Sequence, residues 1–366
     1  MGRSLAGGLL LAGCLLLACG EPAAPPQDEP EPQKPAAPEP ARTSDAAVLR
    51  DRALIVFGTL PDEAQNPKNP ITEEKITLGR MLYYDPRLSK NHDVSCNSCH
   101  QLDNHGVDSE ATSPGHKGQR GERNSPTVYN AAFHVAQFWD GRAADVEEQA
   151  KGPVLNPIEM AMPSEEAVVA LLDSIPGYAP LFAAAFPADE DPVGYDNVAG
   201  AIGAFERRLV TPSRFDAFLE GQDEAMTEAE VAGLRTFMEA GCNACHNGPI
   251  IGGNAYHKLG LIKPFDNEDQ GRFGVTGSEA DRQVFKVPSL RNVEKTGPWF
   301  HDGSMQTLDE TIRSMAEHQL GKTLTDDQVR SIHTFLASLS GEVDVEYIAE
   351  PELPASGPDT PGPDPT

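Results

Sequence analysis

Two short runs, SCNSCH at 95–100 and GCNACH at 241–246, each set two thiols three residues apart with a histidine directly after the second. Two such thiols can form thioethers to the two vinyl groups of a haem. The adjacent imidazole then reaches the iron as its proximal ligand. A C-x-x-C pair alone also suits a redox couple or half of a zinc site. Zinc needs two pairs converging in space, and a thioredoxin-like couple needs a βαβ context that the flanking sequence lacks. The histidine, present both times, favours two covalently bound haem c groups: one on Cys96, Cys99 and His100, the other on Cys242, Cys245 and His246.

The remaining cysteines are Cys14 and Cys19, both in the leading apolar stretch, so no pair is left for a structural disulfide. Among the other histidines (His92, His105, His116, His134, His257, His301, His318 and His333), His116 is set apart by its glycine-rich surroundings, SPGHKGQRG. A loop of that kind could fold over the first haem and also move away. For the second haem, TLDETIRSMAEHQLG puts Leu308, Ile312 and Met315 on one helical face, pointing Met315 inward. Spacing alone makes Met315 a core methionine, and Met305 in the preceding loop is a rival ligand. A thioether ligand raises the potential of a haem relative to a second imidazole.

The elements that must position these residues read as helices. Three capping boxes stand ahead of apolar periodic runs, Thr227 with Glu230, Thr307 with Glu310 and Thr325 with Gln328. Further helices are expected near 71–84, 143–150, 164–174 and 195–209. Strand-like alternation is scarce, and long Gly/Pro-rich connections suit the wrapping of a large planar cofactor. The expected fold class is mainly α, with two haem domains in tandem over 45–212 and 213–345.

The start, MGRSLAGGLLLAGCLLLACGEP, reads as a secretory signal over 1–18, too short and glycine-broken to span a membrane. LLAC resembles a lipobox, which would make Cys19 a lipid anchor; LAGC at Cys14 also fits, as does a plainly cleaved signal. Residues 19–44 are a Pro-rich tether, and 346–366 read as a disordered tail. The net charge of −27 suits a periplasmic or surface protein and excludes a nucleic-acid binder, which needs a basic face. It also suits a basic partner, and equally suits solubility alone.

TLGRMLYYDPRLS, SCNSCH, RNSPTVYNAAF, QFWDGRAADVEEQAKGPVLNPIEM, VPSLRNVEKTGPWFHDGSMQTL and MAEHQLG, in that order over about 71–340, together resemble the bacterial di-haem cytochrome c peroxidases. The resemblance implies two cytochrome c-like domains, usually in a homodimer. It implies reduction of hydrogen peroxide with electrons from a small cytochrome c or copper protein (cupredoxin). It makes the first haem the low-potential peroxidatic site, with His116 as removable sixth ligand, Glu159 as acid/base and Gln149 beside it. It makes the second haem the high-potential entry site with Met315 as axial ligand. It places Trp139 between the haems, and assigns Asn124 with the carbonyls of Thr296 and Pro298 to an inter-domain calcium ion. Two rivals stand beside this reading. One is a di-haem oxidase of protein side chains, resembling the enzymes that mature methylamine dehydrogenase, which carry Tyr where Met315 stands. The other is a non-enzymatic di-haem carrier, which would need neither Glu159 nor a removable His116.

Overall fold

The computed structural model describes residues 45–366. The expected signal, the anchor at Cys19 and the tether lie outside the described residues.

The helix starts are chemical. In chain order the first elements are α1 (Asp45–Phe57), α2 (Glu73–Tyr84), the short α3 (Cys96–Cys99), α4 (Val146–Leu155), α5 (Glu165–Asp173), α6 (Tyr178–Ala185) and α7 (Tyr195–Glu206). Thr72, Asp145 and Ser164 each turn a side-chain oxygen onto an orphan N–H of the first turn of α2, α4 and α5. Then come α8 (Arg214–Leu219), α9 (Glu228–Ala240), strand β1 (Tyr256–Lys258), α10 (Phe273–Thr276), strand β2 (Val284–Lys286), α11 (Leu308–Leu320) and α12 (Asp326–Ala337). The capping boxes ahead of α9 and α12 form in full. Ahead of α11 the box forms by half: Thr307 Oγ1 accepts from Glu310 N–H, but the Glu310 carboxylate takes the Thr307 hydroxyl instead of its backbone N–H.

The fold is mostly helical. Among the described residues the sheet is one antiparallel pair, β1 with β2, in the register Tyr256↔Lys286. One core gathers α2, α4, α5, α6 and α7 around residues such as Leu82, Tyr83, Phe182 and Phe205. Another gathers α8, α9, α11 and α12 around Phe215, Phe237 and Phe335. The same device brings helices together in both. Gly79 of α2 lies against the Ala201 carbonyl of α7, and Gly233 of α9 lies against the Ser331 carbonyl of α12; a Cβ at either would clash with backbone.

The two chain ends cross over. Leu49, Ala53 and Phe57 of α1 pack in the second core, with Phe57 edge-on to Phe215 at 5.5 Å. The segment after α12 returns to the first core, where Tyr347 stacks on Phe205 at 5.2 Å and Ile348 is buried. The tail over 346–366, expected to be disordered, is ordered against that core. Its composition cannot build a core of its own, but it docks on one already made. Tyr84 Oη donates to the Ile348 carbonyl (2.6 Å), Thr360 Oγ1 to the Ser174 carbonyl (3.0 Å), and Pro354 packs on Gly177.

At the junction, Thr211 holds both halves. Its hydroxyl accepts from Asn130 Nδ2 and Asn292 Nδ2, each at 2.9 Å. Both asparagines carry positive φ (61° and 60°), a conformation that short amide side chains tolerate better than branched ones.

Candidate active site

Among the described residues each C-x-x-C-H run walls a cleft of its own. The first encloses about 1300 Å³ of space, counting the part open to solvent, and is walled by Cys96, Cys99 and His100. The second encloses about 1690 Å³ on the same measure and is walled by Cys242, Cys245 and His246. Ser95 caps α3 and Tyr83 Oη donates to the His100 carbonyl at 2.8 Å, which fixes the first motif from both ends. The second motif follows Gly241, whose φ of 94° ends α9 in the left-handed conformation.

Burial pushes Cys99 and Cys242 each up to about 11, with Cys96 higher still, so none is a ready thiolate. Among the described residues no cluster of three or more His, Cys, Asp or Glu side chains is arranged to hold a metal ion. Two thiols and an imidazole on the wall of one mainly apolar cleft fit a haem, and this arrangement occurs twice. Burial holds both motif histidines below their ordinary value, His246 at about 4, so each ring is neutral and can offer a nitrogen lone pair.

The clefts share one wall. Asn124, Pro126, Thr127, Phe138 and Trp139 line both. Trp139 is pinned there by its Nε1 donating to the Asn124 carbonyl (2.9 Å), and its own carbonyl accepts from Lys286 N–H (2.8 Å). Beyond that wall the two differ in chemistry. The first holds Glu159, Gln149, Glu206, Arg123 and Arg142. Among the described residues the second has no acidic side chain on its wall, and it carries Met315, Lys286, His134, His257 and His301.

Each expected residue has a definite place. Glu159 is largely buried, and burial raises its carboxyl above the ordinary range, opposed by Arg142 and by Asn156 Nδ2 donating to Oε1 at 2.8 Å. His116 is buried behind the wall, not on it. Its N–H donates to the Glu159 carbonyl (2.7 Å), and Gly115 packs on Ile158 and Glu159 so closely that a Cβ would clash. The ring Nδ1 of His116 is buried without a partner. Met315 and Met305 both pack beside Phe285 and Phe300, but Met315 walls the second cleft, while Met305 lies outside it, paired with Trp299 through its backbone. Thr296 and Pro298 stand on the second cleft with Asn124, whose amide nitrogen donates to the Glu110 carbonyl (3.0 Å) and so turns its oxygen the other way.

Comparison with known proteins agrees with this geometry. The family model described as di-haem cytochrome c peroxidase matches residues 73–224. The cytochrome c551 peroxidase of Pseudomonas aeruginosa is 47% identical over 326 residues, covering 87% of this chain and 93% of that protein. The cytochrome c551 peroxidase of Nitrosomonas europaea is 48% identical over 306 residues, covering 82% of this chain and 89% of that one. The chain belongs to the di-haem cytochrome c peroxidase family. It is accordingly an oxidoreductase acting on a peroxide, with haem as its cofactor. Among solved structures, a MauG-like protein associated with microbial copper homeostasis matches with a TM-score of 0.70 and 30% identity, over 80% of this chain and 97% of that one.

Three features of this di-haem peroxidase escaped the sequence reading. Arg142 stacks on Phe138 (3.4 Å to the ring centre) and pairs with Asp140 (3.1 Å). Phe138 itself holds φ of 65°, a strained conformation for an aromatic residue and one that gathers at functional sites. Glu206, 6% exposed at the end of α7, has its carboxyl pushed up to about 8, first by burial and then by Glu147. A signal for Glu206 existed. It lies seven residues after Ala199 and four after Ile202, on the buried face of its helix.

Proposed function

We propose that the two clefts divide one reaction, the reduction of hydrogen peroxide to two waters by two electrons and two protons. Peroxide is handled at the first cleft, and electrons from a small donor protein, a cytochrome c or cupredoxin, enter at the second. The observation that carries this reading is the asymmetry of the walls: two buried carboxyls, Glu159 and Glu206, and two arginines on one, and on the other Met315 and Lys286 with no carboxyl among the described residues. When bound covalently at both motifs, haem would supply one iron for cleavage of the O–O bond and a second that stores an electron.

The chain's own residues do the rest. Asn156 occupies Glu159 Oε1, which leaves Oε2 to take a proton from the near oxygen of peroxide and return it to the departing one. Burial suits that task, because a carboxyl raised toward neutrality both accepts and returns a proton readily. Arg142 adds positive charge on the same wall, and Gln149 offers an amide there. His116 is the removable ligand on this reading. Its N–H bond to the Glu159 carbonyl means that a loop movement at 115–118 is felt at the acid itself. Trp139 provides a π-system on the wall between the clefts, and Met315 is the thioether donor for the second iron. Asn124 with the Thr296 and Pro298 carbonyls would hold calcium through oxygen ligands. A periplasmic setting, a lipid anchor at Cys19 and a homodimer complete the reading.

The test is Glu159→Gln, which keeps the side chain's shape and removes its base. The variant is expected to load two haems, keep both potentials, and lose at least about a hundredfold in peroxidase turnover. Turnover within a few-fold of the parent would leave the proton route elsewhere.

A further inference from the structure

Lys286, at the end of β2, is 6% exposed and walls the second cleft. Among the described residues no carboxylate pairs with it. Its Nζ meets only the ring of His134, 2.9 Å from Nδ1. An ammonium has donors only, so Nδ1 accepts and the proton of a neutral ring sits on Nε2. That Nε2 is itself buried and without a partner. A buried cation and a buried N–H, both short of an acceptor on one cleft wall, make an unfilled seat for an anion. The seat is built, not incidental. Val135 N–H donates to the Gly253 carbonyl, Gly253 N–H to the Val287 carbonyl and Lys286 N–H to the Trp139 carbonyl, each at 2.8 Å. Gly253 leaves the His134 ring its room, since a Cβ there would clash with it. The two donors come from opposite halves of the chain, so what they bind also ties the halves together.

We propose that Lys286 and His134 hold a carboxylate of the group bound in the second cleft, which on the haem reading is a propionate of the second haem. Haem is the one occupant of that cleft that the C-x-x-C-H run calls for, and it brings carboxylates with it. Burial alone, with no anion beside it, pushes the Lys286 ammonium down to about 8; a carboxylate in the seat restores its charge. A positive charge held on the wall that also carries His246 would favour the reduced form of an iron bound there, so Lys286 is a positioning and tuning residue for electron entry.

The test is Lys286→Met in the full haem-loaded chain, with both haem potentials followed by spectroelectrochemistry against pH. The expected result is a fall in the second potential and a new pH dependence in the neutral range, as the unpaired propionate begins to titrate. The first potential stays unchanged. Two haems by pyridine haemochrome with an unmoved second potential would overturn the seat while leaving the haem reading intact; a cleft without covalent haem would overturn that reading instead. A second potential in the parent protein that shifts with added chloride or acetate would show an exchangeable anion there and contradict the propionate. Should the variant fail to accumulate, His134→Gln with resonance Raman of the propionate bending modes decides. Altered bands on the second haem support the seat, and unaltered ones overturn it.

Discussion

A carboxyl inside a protein is costly when ionised and unpaired, and the first cleft holds two. Glu159 has Asn156 and Arg142 to offset its burial, whereas Glu206 faces Glu147, and Arg207, the opposing charge, is already paired with Glu147 at 2.6 Å. With its folded value raised to about 8 from 4.5, Glu206 keeps a proton that the unfolded chain has released. Its contribution is therefore full below the unfolded value and is lost as pH rises through about 8. Glu206→Gln should leave stability unchanged at about pH 4 and raise it by up to a few kcal/mol at about pH 9, measured by denaturant titration of the loaded protein. Parallel pH profiles for the two proteins would mean that Glu206 ionises freely. At the second cleft, Met315→His replaces a thioether by an imidazole and should lower the potential of that haem alone. A redox titration with the upper potential unmoved would place the ligand elsewhere. The C-x-x-C-H runs were singled out by motif, and Glu159, Gln149 and Met315, which line the clefts, by resemblance. Glu206, Arg142, Lys286 and His134 were not, because a charged residue in a helix or loop ordinarily faces water, and only the packed structure shows which ones do not.

Among the elements, the helices that could be read were those with a cap and a clear apolar face. The expectations near 71–84, 164–174 and 195–209 correspond to α2, α5 and α7, and the Thr227 and Thr325 boxes open α9 and α12 as expected. The start near 143 moved to Val146 because Asp145 is the cap, and α4 runs on through Pro153 although a proline there removes the N–H bond to the Gln149 carbonyl and ends the helix soon after. α1, α6 and α8 went unread: α1 shows little apolar asymmetry around its helix, α6 has no side-chain cap and is apolar almost throughout, and α8 is only six residues long. The helix crossings carry a sharper prediction. Gly79→Ala and Gly233→Ala each drive a methyl into the backbone of the crossing helix, so each should destabilise the loaded protein by about 1–3 kcal/mol despite the better helix propensity of alanine. Thermal melts that rise for either variant would show that the crossing yields, and that helix propensity wins.

Across the whole molecule, the ends bind the halves to each other. α1 completes the second core, and the chain after α12 completes the surface of the first. Thr211, Trp139 and Arg123, which pairs with Asp140 and with Asp269 of the second half, hold the wall between the clefts. None of this long-range arrangement is written in local pattern: the composition of the tail is that of a free segment, and only a surface made by the first core gives it somewhere to lie. The clefts share a wall and differ in chemistry, so an electron stored at one should be usable at the other. That is the central claim, and stepwise reduction tests it most directly. The loaded protein is poised with one electron per chain, mixed with hydrogen peroxide under anaerobic conditions, and followed in the visible spectrum. The account predicts that the reduced band of the second haem disappears on mixing, with peroxide consumed in proportion to chains. A reduced band that persists, with peroxide unconsumed, would contradict it and leave the molecule a carrier of electrons only.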